Sequence, residues 1–293
     1  MKKLYTLIYI CVATLLSTSQ QSSAATPSQV RWHNESADTT RINRILTEAA
    51  SPDRTINQLM VYIGKQFEGT PYEASTLEST PEILTVNLDG MDCTTFVETV
   101  SALALTVSER RNSWQDFLYN LEQLRYRQGQ VDGYASRLHY ISDWIVDNTH
   151  RGNLREVTDR TPAYSYVVKT LDYMSGHRDA YPALADNETF DKIKNTEVGY
   201  RSHRFPYVKS ADLMSKKASS WLKEGDVIAF TTKTPGLDVS HVGIVVMVDG
   251  TPHLLHASSK DGKVETDEAP LAEYLRKNRN ITGARFIRIG EQR

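Results

Sequence analysis

The sequence predicts an α+β fold. Helical periodicity dominates the first two thirds of the 293 residues, and short β-rich runs broken by Gly, Asp and Pro turns fill the last third. No long Pro/Gly/Ser linker divides them, so residues 25–293 are expected to form a single domain of helices packed on an antiparallel sheet. The 34 Lys+Arg nearly balance the 36 Asp+Glu, so no basic excess points to nucleic acid as a partner.

The first residues read as an export signal. "MKK" supplies a short positive segment, residues 4–16 an apolar stretch too short to span a bilayer, and Ser22 and Ala24 the small residues that suit cleavage after Ala24. Bulky Ile10 precedes Cys11, against a lipoprotein cysteine. Residues 1–24 are therefore expected to be a signal peptide and the protein to be exported, to the periplasm or envelope of a bacterium. No other apolar run approaches spanning length, so no stable membrane insertion is expected after cleavage. Nothing in the chain indicates an oligomeric state. Removing the signal leaves Cys93 with no cysteine to pair with in an oxidising compartment. Such a thiol is either buried and inert or kept for its chemistry.

Residues 37–68 read as helical, with Ser51 as an N-cap and Pro52 at the first helical position of the second stretch. "EGTPYEAS" is a turn, and "EILTVNL" is a short extended piece that ends in "LDG". A helix is predicted from 93 to 108, where Phe96, Val100, Leu103 and Val107 recur at helical spacing. "SWQDFLYNLEQLRY" follows as a second helix. Residues 134–145 place Arg137, Tyr140 and Trp144 on one face if they too are helical. Residues 164–195 read as more helix than strand. Strands are predicted at 225–232, 240–248, 252–258 and 281–289, with a short helix at 270–278.

Asp92 can cap the helix that opens at Cys93, placing the sulfur at its first position. There the helix dipole and open backbone N–H groups favour a thiolate, and those of residues 93–95 can hold an oxyanion. The apolar stripe begins only at Phe96, which leaves Cys93 at the polar mouth. Residues 240–258 read as a hairpin with Asp249-Gly250 as a two-residue turn, so residue i faces 499 − i. His241, His256 and Ser258 then share one face while His253 points to the other; a three-residue loop would substitute His253 for His256. The metal reading, through Asp238, His241, His253 and His256, is disfavoured because the alternation separates the histidines and no HExxH-type spacing exists. No G-x-S-x-G elbow is present for a serine hydrolase.

"DCTTF", "GDVIAF", "SHVGIVV" and "HLLHAS", in that order, resemble the NlpC-type branch of papain-like cysteine hydrolases, which cut peptidoglycan peptides. "GTPY" matches the place where that superfamily carries an active-site tyrosine, here Tyr72. "MDCTTFVETVSALAL" and "YASRLHYISDWI" are similar to a narrower bacterial subfamily, formerly a domain of unknown function, whose members are N-acetylmuramoyl-L-alanine amidases. The resemblance implies Cys93 as nucleophile, His241 as base and His256 as orienting third residue, with no cofactor and no metal. The implied core is papain-like, with a helix-rich insertion at about 110–220, because 148 residues separate Cys93 from His241. Arg137, Tyr140 and Trp144 are candidates for binding sugar or peptide carboxylates, with "YRSHRFPY" (200–207) a weaker one. The expected partner is peptidoglycan or a released muropeptide. Rival readings are a stem-peptide endopeptidase of the same fold, cutting after L-Ala-D-Glu, and a non-catalytic cell-wall binding module.

Overall fold

The protein is described here from a computed structural model over residues 29–290; the expected signal peptide lies outside the described residues. Strand β1 (Val30–Trp32) leads into α1 (Glu35–Ala49) and α2 (Ile56–Lys65). The second helix opens later than its Ser51-Pro52 signal predicts. Its N-cap is Thr55, which forms a capping box with Gln58, so two otherwise orphaned N–H groups find acceptors there. Strand β2 (Leu84–Val86) pairs in parallel with β1.

Helix α3 (Cys93–Ser108) forms at the predicted residues and is buried continuously from Thr95 to Thr106. A helix apolar all round must be covered all round. Its neighbours are α1, α2, α4 (Trp114–Arg125) and the main sheet. One charged residue is caught inside. Glu98 and Arg125 are both buried, Arg125 Nε donates to Glu98 at 2.6 Å, and its Nη1 donates to the Thr85 carbonyl at 2.7 Å. Burial pushes the Glu98 carboxyl up, and Arg125 pulls it back.

Helix α5 (Ile141–Arg151) starts after an irregular turn and stops at Gly152, which takes the left-handed conformation. Tyr140, at its N-cap, makes no side-chain cap bond. The cap comes from Asp238, whose carboxylate accepts the Ser142 N–H at 2.6 Å from 96 residues away. Then come β3 (Leu154–Glu156), β4 (Tyr164–Val168), α6 (Tyr173–Gly176), α7 (Asn187–Gly199), β5 (Arg204–Lys209) and α8 (Ser210–Leu213). The region expected as a helix-rich insertion thus contributes three strands to the sheet. Its sequence carries the period-two signal: β4, "YSYVV", alternates exposed and half-buried residues and pairs antiparallel with β5.

The last third is β6 (Val227–Thr232), β7 (Val239–Val248), β8 (Thr251–Ser258), β9 (Lys263–Thr266), α9 (Leu271–Lys277) and β10 (Ile281–Ile289). The sheet has eight strands in the order β4-β5-β10-β6-β7-β8-β9, with β3 alongside β10. The β7–β8 register pairs Ile244 with Leu255 and Val248 with Thr251, as the hairpin reading requires. Asp249 and Gly250 both have positive φ, 49° and 75°, which a two-residue primed turn needs. One face, with Val227, Ala229, Val242 and Ile287, packs under α3; the other, with Ile228, Phe230, Val245 and Phe286, carries α9. Among the described residues no helix is long and apolar enough to cross a membrane.

Removing Arg125 leaves Glu98 buried without its partner. Arg125→Met should cost about 3–5 kcal/mol of stability, read from the urea midpoint at constant slope, and Arg125→Met with Glu98→Leu should recover most of it.

Candidate active site

Cys93 is the first residue of α3, and the cap that positions it is a full box. Asp92 Oδ1 accepts the Thr95 N–H at 2.8 Å, and the Asp92 N–H donates to Thr95 Oγ1 at 2.9 Å. This removes the Thr95 N–H from the expected oxyanion donors, because its hydrogen is committed to the cap. Those of Cys93 and Thr94 lie outside the cap's bonds.

The thiol is half-buried. Burial, then the Asp92 charge, push it up to about 11, against smaller opposing effects that include the Val242 amide. The expectation of a thiolate favoured by the helix start is therefore reversed: desolvation outweighs the helix terminus, and the resting group is a neutral thiol. The Val242 interaction also locates the sulfur, against β7 at the residue after His241.

His241 Nε2 lies 2.6 Å from His256 Nδ1, the contact that the hairpin alternation predicts. Gly243 permits it: a Cβ there would come within 2.9 Å of the Leu255 carbonyl and 3.1 Å of His256 Cβ. A register shift between Phe230/Thr231, opposite His241 and Val239, leaves Ser240 as an extra residue beside His241. Such a bulge re-aims the side chain next to it. His253 points elsewhere and contacts the Asp267 carbonyl at 2.9 Å, while Ser258 turns to Asp261. Asp238 is engaged by the Ser142 and Val239 amides. The four residues of the metal reading therefore do not converge, and among the described residues no group of three or more such side chains is placed to hold a metal.

Burial, joined by the His256 charge, lowers His241 to about 3; burial lowers His256 to about 4 against the pull of Asp267 and Asp261. Both rings are neutral at pH 7. His256 Nε2 is buried without a protein partner.

Two tyrosines complete the surroundings. Burial raises Tyr72, as do the nearby Cys93 and Asp92 charges, so its phenol stands within electrostatic reach of the sulfur. Its backbone bridges Met91 and donates to the Gly262 carbonyl. Tyr274, on α9, was not singled out by the sequence. Its ring lies 6.4 Å from His241, 5.7 Å from His256 and 5.4 Å from Phe230, and it too feels the Cys93 charge. The signal was an aromatic in a short helix after the hairpin, which sequence alone reads as packing.

Arg137, Tyr140 and Trp144 do not share a helix face, because the chain is irregular between Arg137 and Tyr140 and α5 begins only at Ile141. Arg137 is buried against Glu78 at 2.8 Å and Glu82 at 3.4 Å, which occupies the fork expected to meet a substrate carboxylate. The Tyr140 hydroxyl donates to Glu197 and accepts the Met174 N–H. Trp144 packs in the main core and lines a small apolar cavity with Thr94 and Val242, beside the thiol.

The unfolded chain protonates both histidines near 6.5, the folded chain only near 3 and 4, so acid favours unfolding. Their contribution should be complete above about pH 6.5 and be lost as pH falls toward 3. Melting temperatures measured from pH 8 down to 3 check this, and His256→Phe should flatten the acid decline.

A family model described as N-acetylmuramoyl-L-alanine amidase-like matches residues 62–282. Among solved structures, an N-acetylmuramoyl-L-alanine amidase from Bacteroides uniformis is 40% identical, with a TM-score of 0.75 over 80% of this chain and 99% of that one. A Bacteroides fragilis protein provisionally described as a xylanase is 42% identical, with a TM-score of 0.72 over 77% and 98%. A Legionella pneumophila protein from a family of unknown function is 24% identical, with a TM-score of 0.67 over 88% and 96%, a likeness of fold alone. No curated protein matches.

Proposed function

The chain belongs to the N-acetylmuramoyl-L-alanine amidase-like family, and from that premise we propose that it is an exported cysteine amidase of papain-like core. Its substrate is peptidoglycan or a muropeptide, cut between the muramic lactyl group and L-alanine. The observation that carries the mechanism is the 2.6 Å contact between His241 and His256, with the backbone of the next residue, Val242, against the Cys93 sulfur at a helix start.

That contact suggests a tautomer. His241 donates from Nε2 to His256 Nδ1, which leaves His241 Nδ1 as the base. The Cys93 thiol gives its proton to Nδ1 as sulfur attacks the amide carbonyl. The Cys93 and Thr94 N–H groups hold the oxyanion. Protonated His241 gives its proton to the leaving L-alanine nitrogen, the C–N bond breaks, and a thioester remains. His241 then deprotonates water, which attacks the thioester; the carboxyl product leaves and sulfur recovers its proton. Both rings are neutral at pH 7, so His241 Nδ1 is open to a proton at rest.

The name of the Bacteroides fragilis relative raises a glycosidase reading. That chemistry uses two carboxyl groups flanking the bond. Here the carboxylate next to the thiol, Asp92, is committed to the helix cap. Digestion of defined muropeptides, with products weighed, tests the amide reading. Intact sugar plus a peptide beginning with L-alanine supports it, sugar still bearing L-alanine indicates the endopeptidase, and shortened xylan chains would indicate the glycosidase. Cys93→Ala and His241→Ala should each lower kcat on the order of 10⁴-fold or more, as for groups acting as one unit. Unchanged turnover in Cys93→Ala would overturn Cys93 as the nucleophile, and no turnover of any muropeptide by the wild type would leave the binding-module reading.

A further inference from the structure

Four rings pack together around the two histidines, and three of them come from strands. Phe230 of β6 is the cross-strand partner of His241 and lies nearly parallel to it, at 10° and 6.2 Å. His256 of β8 stands edge-on to His241, at 86° and 4.9 Å. Tyr274 arrives from a helix, α9. Its ring reaches all three others, 5.4 Å from Phe230, 6.4 Å from His241 and 5.7 Å from His256, the last at 82°.

His256 has two ring nitrogens and one partner. Nδ1 meets His241, while Nε2 is buried with no protein partner. A buried polar atom left in that state costs free energy, and water admitted to it would restore the missing bond. Water would also compete for Nδ1, which is the polar restraint on the His241 ring. The Tyr274 hydroxyl has no hydrogen-bond partner among the described residues, so the histidines meet an aromatic ring on this side.

We propose that Tyr274 is a positioning residue: its ring covers the His241–His256 pair from the α9 side, keeps water off it, and so holds His256 to the single bond that orients His241. The catalytic part of this role rests on the amidase reading; the cover is a property of the free protein. The charged groups around the pair do not supply the same effect. On α9, Glu273 and Lys277 pair with each other and Arg276 is exposed. Glu265 is the cross-strand partner of His256, Asp261 and Asp267 act on it electrostatically, and Cys93, Asp92 and Tyr72 lie on the thiol side. Asp261 and Asp267 favour an imidazolium, yet both rings are held well below the ordinary histidine value, with burial the leading cause. Opening the cover should therefore let them rise.

Ring titrations by NMR, assigned by the signals lost in His241→Ala and His256→Phe, test the cover without substrate. Tyr274→Ala should raise His256 by roughly one unit or more, toward the ordinary value of about 6.5. Tyr274→Leu keeps an apolar side chain on α9, guards against a loss of fold, and should raise it by less. Tyr274→Phe keeps the ring and should titrate like the wild type. As pH falls, a proton occupies the free nitrogen of His241 and the base is lost. The acid limb of kcat/KM on muropeptides should therefore move up with the ring values in Tyr274→Ala. Its kcat at pH 7 should fall roughly 10–100-fold at near-constant KM, and Tyr274→Phe should recover most of that loss. Unmoved ring values in Tyr274→Ala and Tyr274→Leu, or a shift in Tyr274→Phe as large as in Tyr274→Ala, overturn the cover. Shifted rings with unchanged kcat overturn the positioning role. Shifted rings in a protein whose wild type cleaves no muropeptide uphold the cover and overturn the amidase reading.

Discussion

The Asp92–Thr95 capping box decides where the thiol can stand. Helix α3 is buried almost from end to end, so its polar terminus must emerge somewhere, and the cap sets that point at Cys93. Everything else in the site is referred to it. Strand β7 lies against the sulfur through Val242, β8 brings His256 to His241, and α9 closes the two rings with Tyr274. The same cap raises the cost of a thiolate, since the Asp92 charge lies beside the sulfur it positions.

A second set of polar contacts ties the helical region to the sheet. Asp238, just before β7, caps α5, and Arg285 of β10 joins Glu156 to Ser142 of the same helix. Buried polar groups of this kind are costly unless fully satisfied, and these are. Asp238 and Arg285 also line a cavity of about 150 Å³ together with Lys169, Phe205 and Tyr207.

Legibility followed the range of the forces involved. The α3 boundaries, the two-residue turn and the β7–β8 register were readable because each depends on neighbours a few residues apart. The α2 start was misplaced because two local signals competed, and the Thr55 box satisfies more backbone donors than Ser51-Pro52. Arg137 reads as a carboxylate binder in isolation. Its carboxylates are Glu78 and Glu82, more than fifty residues earlier, and no local pattern announces them. "YRSHRFPY" was the weaker sequence candidate, yet its Phe205 and Tyr207 line the cavity.

The sequence by itself determined the α+β class, the helix that starts at Cys93 and the hairpin parity that unites His241 with His256 and sends His253 away. These follow from backbone periods and turn geometry, which local residues specify. Only the tertiary structure decided the rest. The thiol's protonation depends on burial by elements distant in the chain, and the Ser240 bulge depends on the strand opposite it. Tyr274, the Asp238 cap and the Lys169 cavity arise where separate segments meet. Desolvation and long-range pairing act between surfaces that exist only once the chain has folded.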